Sequence, residues 1–104
     1  MHLNQLYHYR GLCYFRLENY ESAEKDFQEA ISISDDRSKV QFYNSLGKCK
    51  VAMGSEDPTY LEEAVKCFER SLEYSNGQDG EGHFNLGSLY QRMKRNTQAI
   101  ETYG

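Results

Sequence analysis

The sequence predicts an all-α fold, an α-solenoid of stacked antiparallel helix pairs, and three observations lead to it. The 104 residues contain a single proline. Apolar residues recur at spacings of three and four, which is the period of an amphipathic helix. An aromatic residue or a histidine precedes a glycine by four positions three times, at Tyr7/Gly11, Tyr43/Gly47 and His83/Gly87. A repeat of this length with small residues at fixed points indicates stacked helix pairs.

The predicted helices follow this pattern in chain order. The first helix of each pair carries the glycine, and the second carries an alanine followed four residues later by an aromatic residue. These alanine–aromatic pairs are Ala23/Phe27, Ala64/Phe68 and Ala99/Tyr103. The six predicted helices span residues 3–17, 20–34, 38–53, 58–74, 80–94 and 97–103. A glycine inside a helix costs about 1 kcal/mol relative to alanine. We therefore expect Gly47 and Gly87 to lie where the two helices of a pair approach most closely.

The connections between the helices differ in length. The second unit has five more residues between its glycine and its alanine than the first, within the segment GSEDPTY. Asp57 resembles a helix N-cap, followed by Pro58 in the first turn, which predicts a longer loop or an earlier helix start. The segment SNGQDGEG at 75–82 predicts a turn, where replacement of Gly82 should have little effect. Asn96 is expected to cap the last helix.

These residues resemble the tetratricopeptide repeat (TPR) family. The leucine–glycine steps Leu46–Gly47 and Leu86–Gly87 match the family's first helix, and the alanine–aromatic pairs match its second helix. The resemblance implies one TPR domain over residues 1–104 and a superhelical stack of repeats. Its repeats would span about 4–37, about 40–78 and about 80–104, the last of them truncated.

Two positions depart from the family's pattern. Arg10 stands where the other units have leucine, and Lys50 stands where they have tyrosine. Both are charged residues in an otherwise apolar pattern. The sequence alone therefore does not predict how the helices pack at these two positions.

Composition narrows the possible partners and the compartment. The net charge is −4 and the pI is near 5.3, whereas sequence-independent binding to nucleic acid or anionic lipid needs a basic surface. No apolar run approaches the ~18 residues of a membrane span, and the first ten residues contain no apolar signal segment. Three cysteines without a Cys-x-x-Cys motif indicate a reducing compartment. We therefore expect a cytoplasmic chain that binds neither membranes nor nucleic acid.

Catalysis is not expected, and we predict no catalytic, cofactor-binding or metal-binding residues. The three histidines are too scattered to form a metal site with any cysteine at a recognisable spacing. Cys13, Cys49 and Cys67 are interpreted as small buried apolar residues. Paired carboxylates lie near predicted helix starts, where the helix dipole favours them.

The resemblance implies a concave groove lined by the first helix of each pair, which in this family holds a peptide from a partner protein. Tyr9, Leu12 and Phe84 would supply apolar pockets. Asn44, Asn85 and Lys48 would hydrogen-bond to the peptide backbone. The full set carried over onto this sequence is Gln5, His8, Tyr9, Leu12, Gln41, Asn44, Ser45, Lys48, Glu81, Phe84, Asn85 and Ser88.

Three function classes remain open at this point. The first is a non-enzymatic protein-interaction module, part of a larger scaffold or adaptor. The second is a structural segment of a larger assembly whose groove is filled by its own chain or by a neighbouring subunit. The third is an RNA-binding helical repeat, which the acidic composition disfavours.

One ligand known for this family is not expected. Many TPR co-chaperones hold a C-terminal Glu-Glu-Val-Asp tail with cationic and amide side chains, because two carboxylates require several converging donors. The matching positions here are His8, Leu12, Ser45, Glu81 and Asn85. We therefore predict no affinity for this chaperone tail.

The end of the chain predicts an uncovered apolar face. Repeat arrays usually end with a further helix that is polar on its outer side. Without one, Leu89, Met93, Ala99, Ile100 and Tyr103 would be partly uncovered. We therefore expect the chain to be a fragment of a longer repeat protein, or to be capped by another chain or by self-association.

Overall fold

The described residues of the computed structural model form five α-helices. The structure describes the backbone of residues 3–103 and the side chains of residues 3–94. No strand occurs in this part of the chain, so the predicted all-α class is confirmed. The helices are α1 (Leu3–Arg16), α2 (Tyr20–Ser32), α3 (Asp36–Met53), α4 (Thr59–Tyr74) and α5 (Gly80–Tyr103).

The helices stack in a row. α1 packs against α2 and α3 packs against α4, which gives two hairpins, and α2 also packs against α3. α5 lies mainly against α4 and touches α3. The chain is consequently elongated, with principal extents of 54 × 31 × 17 Å. This arrangement is the predicted solenoid of helix pairs.

Glycines allow the close approach within the first two hairpins. A Cβ atom added to Gly11 would lie 2.6 Å from Cε1 of Phe27, and one added to Gly47 would lie 2.4 Å from Cε1 of Phe68. Both phenylalanines are buried, so neither ring can move aside into solvent. The predicted role of the glycines is confirmed for these two pairs. The group that fills the space is the aromatic ring of the opposite helix.

The third pair does not form as predicted. α5 is one continuous helix of 24 residues, not two helices at 80–94 and 97–103. Among the described residues, no atom lies within 4 Å of a Cβ built on Gly87, so the close approach predicted there is wrong. Asn96 lies inside α5 and therefore does not cap a helix. Residues 90–98 contain neither glycine nor proline, so the helix meets no strong breaker.

Gly82 is also placed differently from the prediction. The turn is completed earlier, by Asn76 and Gly77 with φ values of 58° and 77°, and α5 already begins at Gly80. Gly82 is buried, and a Cβ atom there would lie 2.7 Å from Oγ of Ser71. The expectation that replacing Gly82 has little effect is therefore wrong.

The longer connection in the second hairpin combines both predicted alternatives. Relative to the first hairpin, α3 runs slightly further past its glycine, the loop at 54–58 is longer, and α4 begins earlier before its alanine. Oδ1 of Asp57 accepts a hydrogen bond from the backbone N–H of Thr59 at 3.1 Å. Pro58 has a helical φ of −59°. The Asp57 side chain thus accepts from the first backbone N–H of α4 as predicted, whereas Pro58 directly precedes the first residue of α4 and does not lie in its first turn.

The two charged departures from the repeat pattern form ion pairs. Nε and Nη2 of Arg10 donate to the two carboxylate oxygens of Asp26, at 2.8 and 2.7 Å. Lys50 is buried and donates to Glu24 of α2 and to Glu63 of α4, the latter at 3.4 Å. Lys50 thus links α3 to the helix on each side of it.

Candidate binding groove

The first helices of the three units are joined by hydrogen bonds between polar side chains. α1 and α3 are connected by Nε2 of His8 and Oγ of Ser45, which are 2.8 Å apart. α3 and α5 are connected by Nζ of Lys48 and Oε1 of Glu81, at 2.6 Å. All four residues belong to the predicted groove set. Their polar groups are therefore at least partly engaged within the chain.

Asn44 forms a second link between α3 and α5. Its side chain is buried, and its Nδ2 donates to Oδ2 of Asp79 at 2.6 Å and to the carbonyl of Val40 at 3.2 Å. Nδ2 of Asn85 approaches Oδ1 of Asn44 at 3.4 Å. The contact between Asn44 and Asp79 was not predicted from the sequence, because nothing local to Asp79 indicates Asn44.

His8 lies beneath the groove in the core. It is 2% exposed, and its ring centroid lies 5.6 Å from that of Phe27 and 4.7 Å from that of Phe42. Nδ1 has no hydrogen-bond partner among the described residues. Burial lowers the pKa of His8, because a charged imidazolium would lose its hydration there. His8 therefore acts as a neutral packing residue and not as a contact for a peptide.

Stability should fall on mild acidification because of His8. Between its lowered folded pKa and the usual value of about 6.5, the unfolded chain binds a proton that the folded chain does not. The free energy of unfolding should therefore fall with pH through this window, by up to about 1.4 kcal/mol per pH unit, and level off below it. Urea unfolding of the wild type and of His8→Phe, between about pH 7 and pH 5, measures this slope.

The matched control for this measurement is His83→Gln, since His83 is exposed. His83→Gln should retain the wild-type slope and His8→Phe should reduce it. Equal slopes for His8→Phe and the wild type would contradict a titrating His8.

A cleft of about 220 Å³ opens between α3 and α5. Its floor is apolar, since Phe68 and Leu89 are buried there and Val51 is half-buried. Its rim is polar. The rim residues are Lys48, Asn85, Ser88 and Arg92. Three of these four belong to the predicted groove set, so the structure brings them to one site.

The remaining groove residues differ in exposure. Tyr9 and Phe84 are well exposed, at 60% and 73%, and Gln41 is exposed as well. Gln5 is half-buried. Leu12 is half-buried and packs against the core cluster that α2, α3 and α4 form together. Tyr9 and Phe84 are thus accessible as the sequence predicted, whereas Leu12 contributes mainly to the core.

Sequence reasoning missed Val51, Leu89 and Arg92 at the cleft. Arg92 could have been found by continuing the groove stripe of α5 beyond Ser88, because the next residue on that helix face lies four positions on. Val51 and Leu89 resemble ordinary core residues in the sequence. Their exposure to a cleft depends on how far α5 lies from α3.

Two segments of the chain match family models of the tetratricopeptide repeat. They cover residues 5–36 and 80–104, which together exceed half of the chain. The chain belongs to the tetratricopeptide repeat family. Comparison with curated proteins gives no match. TPR repeats commonly mediate protein–protein interaction, and the family is generally a non-enzymatic interaction module.

The cysteines of this TPR domain differ in burial. Cys49 and Cys67 are buried, and desolvation raises their pKa values to about 12 and about 11. They are therefore protonated and unreactive at neutral pH. Cys13 is exposed, so the interpretation of all three as buried residues is wrong for Cys13.

Neither a metal site nor a membrane span is found in the described part of the TPR domain. No group of three or more His, Cys, Asp or Glu side chains there could hold a metal ion. No helix among the described residues combines the length and the apolar character that crossing a membrane requires.

Proposed function

We propose that this TPR domain is a non-enzymatic interaction module that binds an extended segment of a partner protein along α3 and α5. The main support for this proposal is the cleft between these two helices. It joins an apolar floor to polar rim groups from Lys48, Asn85 and Ser88, the three positions at which the family resemblance and the geometry coincide. The three cysteines of the domain are all free, which favours a reducing compartment such as the cytoplasm. A scaffold or adaptor is the class of protein in which such an interaction module would act.

The cleft suits one apolar side chain with a polar neighbour. Its volume of about 220 Å³ is below the ~300–1,000 Å³ of small-molecule pockets, so it can hold one side chain of a peptide. Arg92 is exposed at the rim and has no ion-pair partner among the described side chains. The partner segment therefore carries an apolar residue beside a carboxylate that reaches Arg92.

A free pair of C-terminal carboxylates is a poor ligand for this groove. His8 is buried and bonded to Ser45, and the charge of Lys48 is compensated by Glu81. A second carboxylate beside Glu81 would be repelled. We therefore propose that the domain does not bind the chaperone tail Glu-Glu-Val-Asp.

Panning of a displayed library of random peptides against the chain tests this function. We expect enrichment of peptides in which an apolar residue neighbours a single Asp or Glu within the segment, without the paired carboxylates of a free C-terminus. Ser88→Arg should raise the Kd of an enriched peptide about tenfold or more, equivalent to about 1.4 kcal/mol, because the longer side chain blocks the cleft. Titration calorimetry of one enriched peptide and of a Glu-Glu-Val-Asp peptide measures these affinities.

Ser32→Arg is the matched control, because Ser32 is an exposed serine at the end of α2. It should bind the enriched peptide like the wild type. The proposed function is wrong if no peptide is enriched over an empty surface, or if both arginine variants bind equally well.

A further inference from the structure

The outer side of α1 presents a stripe of uncovered residues. We call the four residues Leu6, Arg10, Cys13 and Leu17 the α1 stripe. The side chains of Leu6, Arg10 and Leu17 are 58%, 60% and 76% exposed, and Cys13 is exposed. Arg10, Leu6 and two neighbouring residues line a depression of about 370 Å³ on this side. Exposed leucines and a cysteine along one side of a helix, beside a single charged residue, indicate a contact surface.

The equivalent stripe on α3 is covered by a helix. The residues 36 positions later are Phe42, Leu46, Cys49 and Met53, and the first three are 0%, 6% and 0% exposed. Leu46 and Cys49 lie in one core cluster with Ala23 and Phe27 of α2. Sγ of Cys49 is also 3.4 Å from the carbonyl oxygen of Tyr20. Among the described residues, no helix covers α1 in the way that α2 covers α3.

The chain also contains a second-helix sequence that has no hairpin of its own. Residues 96–103, NTQAIETY, repeat the alanine–aromatic pattern of α2 with Ala99 and Tyr103. Their backbone continues α5 instead of folding back. The surface at Gly87, against which such a helix would pack, is open among the described residues.

Sequence complementarity connects these two features. In the α2–α3 contact, Glu24 pairs with the buried Lys50. The position equivalent to Glu24 in the segment 96–103 is Ile100, and the position equivalent to Lys50 in α1 is Tyr14. Both charged residues are thus replaced by uncharged ones, so no buried charge would be left without a partner.

We propose that the segment 96–103 of a second copy of this chain packs on the α1 stripe, as α2 packs on α3. In the described chain, α1 and α5 do not contact each other, so one molecule can use both surfaces at once. Such a head-to-tail contact is heterologous and produces rings or open filaments. The association is independent of the groove between α3 and α5.

Disulfide trapping with Asn96→Cys tests the register. Asn96 is equivalent to Tyr20, whose carbonyl meets Cys49, so Asn96→Cys should reach Cys13 of another copy. Mild oxidation should give a ladder of disulfide-linked multimers on a non-reducing gel, and adding Cys13→Ser should abolish the ladder. Glu101→Cys is the control, because its α2 equivalent, Lys25, is exposed. A ladder from Glu101→Cys as strong as that from Asn96→Cys, or no ladder, would overturn the proposal.

Sedimentation equilibrium tests the association itself. The mass of the wild type should rise continuously with concentration, and Leu6→Glu should remain at the mass of one chain with an unchanged melting profile. Ser88→Arg, which blocks the groove, should associate like the wild type. If the wild type had the mass of one chain at all concentrations, a second copy would not cover the α1 stripe, and the proposal would be overturned. If Ser88→Arg did not associate, the segment 96–103 would bind in the groove between α3 and α5. That result would also overturn the proposal.

Discussion

Gly47→Leu is expected to destabilise the folded chain by about 3 kcal/mol or more, in the range of severe overpacking. Its Cβ alone would lie 2.4–2.8 Å from three atoms of the Phe68 ring, and that ring is 1% exposed. Either the ring leaves its rotamer or α3 and α4 move apart. Denaturant unfolding followed by circular dichroism measures the loss as a lower midpoint.

Gly87→Leu is the matched control, since it makes the same substitution in a first helix with no described atom within 4 Å. Leucine has a higher helix propensity than glycine, so this variant should be unchanged or more stable by up to about 1 kcal/mol. If both variants kept the wild-type midpoint, the close approach at Gly47 would be contradicted, and if both had an equally lowered midpoint, the open surface at Gly87 would be contradicted.

Lys50→Met is expected to destabilise by about 2–3 kcal/mol, somewhat below the ~3–5 kcal/mol typical of a broken buried ion pair. The side chain of Lys50 is 8% exposed, while those of Glu24 and Glu63 are 20% and 48% exposed. Burial alone would lower the pKa of Lys50, but the two carboxylates outweigh burial and raise the pKa above its usual value. Methionine would leave Glu24 without its cation in a mostly buried position.

Lys48→Met provides the control for Lys50→Met. Lys48 also forms an ion pair, but both it and Glu81 are about half exposed. An exposed pair of this kind contributes about 0–1 kcal/mol. A second test uses Glu24→Gln. This substitution should lower the free energy of unfolding less in a Lys50→Met background than in the wild type. If Lys48→Met and Lys50→Met lowered the free energy of unfolding equally, burial of Lys50 would not increase the contribution of its ion pairs to stability.

The sequence by itself determined the repeat and its first two hairpins. Gly11 and Phe27, like Gly47 and Phe68, lie within one hairpin, so a short local pattern contains both members of the contact. The sequence also predicted Lys48, Asn85 and Ser88, which line the same cleft. Local patterns therefore predicted the family and part of the candidate site.

The tertiary structure decided the third unit and the burial of the groove residues. The pattern at Ala99 predicts a separate helix, yet α5 continues past it, because a turn needs a breaker or a packing surface to outweigh helix propagation. His8 and Asn44 are buried while Phe84 is exposed, although all three belong to the predicted groove set. Whether such a side chain meets water depends on how closely neighbouring helices pack. For His8, the neighbouring rings are those of Phe27 and Phe42, which lie on other helices and far from His8 in the sequence.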